Sequence, residues 1–264
     1  MIEVNKRLRF TKSTTYKLFE NILNHKFGKC NICGNYTVFL CLDPKTVRNN
    51  MKCPFCKTSS RYRHVASIVL DKFFPKLTSI SMIKDENCNI QIYNLSTNGP
   101  FAKNLYSCKN FYQSEYYDNI PPGTEISART YCQNVEELTF DNAFFDLVIS
   151  EDVFEHVRHD NKGFKEISRI LKIGGYHIFT VPCYFDKETL NRVDTSTQED
   201  IFLLPPEYHG DPNRGKILAY RTYGIDIFKN LSDYGFHTEM VVSNFVDQQK
   251  GIVDSYVFVS KKIE

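Results

Sequence analysis

The chain has 264 residues, 42% hydrophobic and 24% charged, the balance of a globular protein able to bury a sizeable core. No apolar run approaches the roughly 20 residues that span a bilayer, and the opening MIEVNKRLRFTKSTTY lacks the apolar segment of an export signal. The formal net charge of +2 hides an asymmetry, because residues 1–64 hold 13 Lys/Arg against 3 Asp/Glu while residues 65–264 hold 20 against 28. A basic head on an acidic body predicts two regions, 1–64 and 65–264.

The first element, STTYKLFENILNHKFG, reads as a helix capped by Ser13 or Thr14 and stopped by Gly28, with Tyr16, Phe19, Ile22 and Leu23 on one face. Cys30-Asn-Ile-Cys33 and Cys53-Pro-Phe-Cys56 then place two C-x-x-C turns 19 residues apart. Each turn brings two thiolates to one ion, Gly34 permits the tight backbone of the first, and YTVFLCL between them supplies a strand: the pattern of a zinc ribbon. Four thiolates leave no open coordination position, so the expected Zn2+ is structural. The remaining cysteines, Cys41, Cys88, Cys108, Cys132 and Cys183, lack metal spacing and read as small buried apolar residues. Nine cysteines without an export signal predict reduced thiols and a cytoplasmic location. Next, SSRYRHVASIVLDKFF continues as a helix with Val65, Ile68, Val69 and Phe73 inward. At its start Arg61, Arg63 and His64 read either as solvated charge or as a grip for phosphate or carboxylate.

From residue 89 strands and helices alternate, as an α/β sheet requires, with strands expected at 90–95, 110–115, 128–134, 145–150, 176–182, 237–243 and 255–261. NIQIYNLSTNGPFAKNL places a strand, a tight loop and a helix that opens at Pro100, the usual setting for a nucleotide. FDNAFFDLVISEDVFEHV carries Phe145, Leu147, Val148 and Ile149 as a strand buried on both faces. KGFKEISRILKIGGYHIFTVP follows as a helix with Phe164, Ile167, Ile170 and Leu171 inward, stopped by Gly174-Gly175 before the next strand. Residues 183–221 are too long for a plain connector and read as a lid holding Tyr184, Tyr208, His209, Asp211 and Arg221. A helix in YGIDIFKNLSDYGF, stopped at Gly235, precedes the final strand pair.

FDLVISEDVFEHV followed by FKEISRILKIGGYHIFTVP resembles the fourth strand, following helix and fifth strand of class I S-adenosylmethionine-dependent methyltransferases of the type 11 kind. The resemblance covers about residues 89–264 and implies a doubly wound, seven-stranded Rossmann-like α/β sheet. The cysteine head with SSRYRH and the later PPEYHGDP are similar to bacterial members that methylate glycans or other small metabolites. The resemblance places the cofactor S-adenosyl-L-methionine against Asn94, Leu95, Ser96, Thr97, Asn98 and Gly99, where Asn94 replaces the family's acidic residue. Ser96, Asn98 and Pro100 stand where its glycines would be. It assigns Glu115, with Tyr116 beside it, to the ribose hydroxyls, and Asn134 and Val135 to the adenine. Ser150 and Glu151 flank the cofactor.

An alcohol acceptor needs somewhere for its proton to go. His156, and His209 oriented by Asp211, are the candidate catalytic groups, since imidazole titrates near neutrality and a carboxylate can hold it in place. The resemblance, rather than the residue chemistry, implies a sugar, a nucleotide-sugar or another polysaccharide precursor as the partner. Two readings stand beside it: a nucleic-acid methyltransferase using the basic ribbon, and a non-catalytic scaffold of the same fold.

Overall fold

The computed structural model describes residues 27–40, 51–211, 213–243, 246, 247 and 249–264. Most of the helix expected over 13–28, and Cys41, lie outside the described residues. Gly28, expected to stop that helix, instead sits in strand β1 (Phe27–Lys29), antiparallel to β2 (Tyr36–Val38). The chain then forms α1 (Ser60–Phe73), β3 (Ile92–Asn94), α2 (Gly99–Leu105), β4 (Phe111–Glu115), β5 (Glu125–Ser127) and β6 (Thr130–Cys132). It continues through β7 (Phe145–Glu151), α3 (Asp160–Ile170), β8 (Leu171–Thr180), β9 (Glu207–Asp211) and β10 (Gly215–Ala219). The last elements are α4 (Ile227–Ser232), β11 (Phe236–Val242) and β12 (Tyr256–Lys262).

One eight-stranded sheet organises the body, in the order β11-β12-β8-β7-β3-β4-β6-β5. The strands from β8 to β6 are parallel, whereas β11, β12 and β5 each pair antiparallel with their neighbour. All seven expected strands are present. The eighth, β5, is a short exposed edge whose polar residues gave no apolar pattern to read.

Alternation along the central strands explains the layering, because successive side chains point to opposite faces. Leu147, Ile149, Ile178, Val257 and Val259 pack with α1 and α2, while Tyr93, Val148, Phe179 and Phe258 pack with α3 and α4. The cysteine segment shares the first of these cores: Cys30, Ile32, Phe39 and Cys53 are buried in one cluster with Val65, Val69, Ile92 and Phe101. The boundary expected at residue 64 therefore falls inside α1, where the two regions are packed together.

Gly174-Gly175 do not end α3. The helix stops at Ile170 because Leu171 is already extended, and the glycines lie inside β8, where its pairing with β7 shifts register between Phe145 and Leu147. Gly174 has φ +82°, and a Cβ on Gly175 would stand 2.9 Å from the Lys172 carbonyl oxygen and 3.1 Å from that of Asp146. The pair builds a bulge, which glycine alone tolerates without strain. Gly175→Ala is expected to cost about 1–3 kcal/mol in a urea melt; an unchanged midpoint would show that the bulge yields freely.

Candidate active site and cysteine cluster

The order of the parallel strands reverses between β3 and β7, and ligands of such sheets gather there, beyond the carboxyl ends of the strands. A cavity of ≈ 1080 Å³ occupies that place. Leu95, Ser96, Asn98, Glu115, Tyr116, Asn134, Val135 and Glu151 line it, each from the end of β3, β4, β6 or β7 or from the loop that follows.

Four other expected cofactor residues stand behind its wall. Asn94 is buried, and its amide nitrogen donates to the Ser96 carbonyl at 2.6 Å; Ser96 Oγ accepts from the Asn98 amide at 3.1 Å. Side chains thus fix a loop that glycines would otherwise shape. Thr97 Oγ1 donates to Glu115 Oε2 at 3.2 Å, so it orients the carboxylate. Gly99 takes φ +91°, a conformation that favours glycine, and a Cβ there would stand in ordinary contact with the Tyr62 ring. Ser150 is buried with its hydroxyl 2.8 Å from His177 Nε2. Pro100 stands second in α2, after Gly99, rather than opening the helix.

Burial and the nearby Asp211 carboxylate push the Glu115 carboxyl upward, against hydrogen bonding from Thr97. Glu115 Oε2 also accepts from Asn213 Nδ2 at 2.8 Å. That contact arises because the expected lid contains a β-hairpin, β9 with β10, whose tip reaches the end of the cavity lined by Glu115 and Tyr116. Arg214 from the same tip lies 5.8 Å from the centre of the Tyr116 ring.

Arg61, Tyr62 and Asp152 also line the cavity. Arg61 is buried, not solvated: its guanidinium donates to Thr180 Oγ1 at 2.9 Å and pairs with Asp152 at 3.2 Å. Burial alone would lower its pKa, but the Asp152 and Glu151 carboxylates outweigh that and raise it. Asp152 has φ +54°, a strained position for a non-glycine residue and a frequent mark of a functional site. Its strain left no trace in the sequence.

His209 and Asp211 do not form the expected pair. Asp211 Oδ1 accepts from the backbone amides of Asn213 and Arg214, while His209 Nε2 faces Glu207 Oε1 at 3.2 Å. His209 Nδ1 lies 3.2 Å from His156 Nε2, and His156 Nδ1 lies 2.7 Å from the Leu218 carbonyl oxygen. Burial is the main reason that His156 is pushed down to about 4. Arg221 is likewise structural: buried, it donates to the carbonyls of Val157 and Arg158 and pairs with Asp160. Tyr184 and Tyr208 do not line the cavity, and Tyr208 is exposed.

Two buried histidines make stability depend on pH. Burial pushes His64 down to about 4 and His177 down to about 3. Both stay neutral when folded, so the unfolded chain binds more protons between pH 6.5 and these values. Their stabilisation is complete above pH 6.5 and is lost as pH falls toward 4 and then 3. His177→Gln should flatten the decline of the melting temperature over that window; an unaltered slope would contradict it.

Just before the N-terminus of α1 the four thiols converge. Cys30 and Cys56 Sγ are 3.7 Å apart and Cys33 and Cys53 Sγ 3.8 Å apart, with all four within 4.8 Å of one another. Sulfurs at about 2.3 Å from a tetrahedral zinc stand roughly 3.75 Å apart, so this donor set fits that ion. The two turns repeat one backbone pattern: Cys30 N donates to Asn35 O and Gly34 N to Cys30 O, as Cys53 N does to Thr58 O and Lys57 N to Cys53 O. Gly34 and Lys57 both take positive φ, +79° and +62°; only the first was legible as a glycine. Cys88, Cys108 and Cys132 are buried as expected, Cys183 is half-buried, and no disulfide joins the eight described cysteines.

A family model described as a methyltransferase domain matches residues 99–179. No protein of curated description matches the chain. Among solved structures, an S-adenosylmethionine-dependent methyltransferase from Clostridium acetobutylicum is 18% identical with a TM-score of 0.42, covering 76% of this chain and 98% of that one. Another from Mesorhizobium loti is 16% identical with a TM-score of 0.42, over 72% and 98%. The 1,6-didemethyltoxoflavin-N1-methyltransferase of Burkholderia thailandensis, with bound 1,6-didemethyltoxoflavin and S-adenosylhomocysteine, is 15% identical with a TM-score of 0.37, over 76% and 84%. Among the described residues no helix is long and apolar enough to cross a membrane.

Proposed function

We propose that the protein is an S-adenosylmethionine-dependent methyltransferase whose cysteine cluster holds a structural zinc ion. The observation that carries this reading is the convergence of eight residues, assigned to a cofactor from sequence, on one cavity at the strand-order reversal. The methyltransferase-domain match over residues 99–179 supports it, since that stretch contains α2, β4 and β7.

The cofactor supplies a methyl group already activated on a sulfonium, which leaves the protein to align the partners and exclude water. Glu115 would accept hydrogen bonds from the ribose diol, as a carboxylate offers two oxygens to two hydroxyls. Asn134 and Val135 would meet the edge and face of the adenine. The loop Leu95–Asn98 would hold the methionine end. The acceptor end falls to His156 and to His209 of the hairpin, a polar wall suited to the hydroxyls of a sugar, a nucleotide-sugar or another polysaccharide precursor. The nucleic-acid alternative loses two of its cations, because Arg61 and Arg63 are committed to internal contacts. Zinc-binding thiolates suit a reducing cytoplasm.

Calorimetric titration with S-adenosylhomocysteine tests the reading, with one molecule bound per chain as the expected result. No heat would instead favour a scaffold. Transfer of labelled methyl to a panel of activated sugars then identifies the acceptor.

A further inference from the structure

We propose that Glu155, His156 and His209 form a second cation site, for a tetrahedral divalent ion of the zinc class, on the cavity wall. The three residues come from two elements: Glu155 and His156 from the single 3₁₀ turn Phe154–His156 after β7, and His209 from β9 of the hairpin. Tyr220 N donates to the Glu155 carbonyl at 2.8 Å, tying the residue just after β10 to that turn.

The hydrogen bonds at the rim fix where the lone pairs point. His156 Nδ1 donates to the Leu218 carbonyl at 2.7 Å, which leaves Nε2 bare in the neutral ring. His209 Nε2 donates to Glu207 Oε1 at 3.2 Å, which leaves Nδ1 bare. The two bare nitrogens stand 3.2 Å apart, and Glu155 Oε1 lies 3.7 Å from the first and 3.8 Å from the second. The three atoms converge on one small volume, where a cation would meet a lone pair from each. Nitrogen and oxygen ligands about 2.0–2.1 Å from a tetrahedral zinc are roughly 3.3 Å apart, as the two nitrogens are, while the carboxylate oxygen stands somewhat farther from each.

The outer contacts are those of a metal-binding histidine, whose far nitrogen is held by a carbonyl or carboxylate. Glu207 is in turn anchored by an ion pair with Arg192. Glu155 is fully buried and His156 nearly so, while His209 is partly exposed, and all three line the cavity. Two histidines and one carboxylate leave a fourth position open, as in catalytic rather than structural zinc sites. That position faces the cavity and takes water or an oxygen of the acceptor.

The test is metal content of the full chain, which does not depend on the cofactor reading. Wild-type protein equilibrated with zinc and desalted should hold two equivalents, and His209→Ala and Glu155→Gln one each. Because His209 lies on the hairpin surface, its variant keeps the test sound if Glu155→Gln fails to fold. Glu207→Gln should retain the second ion with about 10–100-fold weaker affinity. With cobalt in place of zinc, the cysteine site gives sulfur-to-metal charge-transfer absorption, and the second ion adds visible bands without it. A single equivalent in wild type would overturn the proposal, leaving a shared proton as what holds the cluster together. Two equivalents that survive His209→Ala would overturn it as well.

Discussion

Cys53→Ser is expected to abolish metal binding at the cysteine cluster and to remove more than about 4 kcal/mol of stability. The size of the effect follows from what the cluster supports. Arg63 is fully buried beside it, stacked 4.2 Å from the Phe39 ring, with its guanidinium donating to the carbonyls of Thr58, Lys250 and Gly251 and of Met51. Burial pushes Arg63 down to about 10, and the neighbouring cysteines act in the opposite sense. A four-thiolate zinc centre would carry net negative charge, so it and the guanidinium would stabilise each other in a place where each alone is costly to bury. Arg63→Ala should therefore cost about 3–5 kcal/mol and orphan four carbonyls, and it should loosen the metal as well. Urea unfolding with parallel zinc determination reads both effects. A Cys53→Ser protein that loses its metal yet melts like wild type would show that the ion holds nothing together.

The same contacts explain what the sequence conceals. The seven principal strands were legible because their apolar runs are local, and so were the cysteine turns, whose spacing is a matter of four residues. Arg63 and His64 read as charge at a junction because their partners are remote: Lys250 and Gly251 for one and Ser255 for the other, nearly 190 residues away. The site shows the same division. Glu115, the last residue of β4, and Asn134, just past β6, were singled out by the family resemblance, and both line the cavity. Partners that depend on how a long insertion folds were not legible in that way. Asp211 was paired with His209 on proximity in sequence, yet alternation along β9 also puts Glu207 on that face, and it is Glu207 that reaches the imidazole. Glu155 lay in plain view within SEDVFEHV, but only the 3₁₀ turn after β7 directs it toward the hairpin.

Glu115→Ala is expected to weaken S-adenosylhomocysteine binding about 10–100-fold, the loss of one or two hydrogen bonds to a charged acceptor. A second variant separates this role from a structural one. In the protein alone Glu115 Oε2 is engaged by Thr97 and by Asn213 from the hairpin tip, so an entering diol competes with Asn213 for that oxygen. Asn213→Ala should consequently leave affinity unchanged or improve it, while Glu115→Ala reduces it. The raised carboxyl pKa adds a signature in pH. Glu115 takes up its proton at a higher pH than an exposed glutamate, so wild-type affinity should begin to fall, as pH is lowered, before the range where an exposed glutamate titrates. Glu115→Gln, which has no carboxylate to lose, should bind weakly with little change across that range. Calorimetry at two pH values on the three variants decides the matter. If Glu115→Ala bound as tightly as wild type, the end of β4 would not be where a ribose rests, and the cavity would need another occupant.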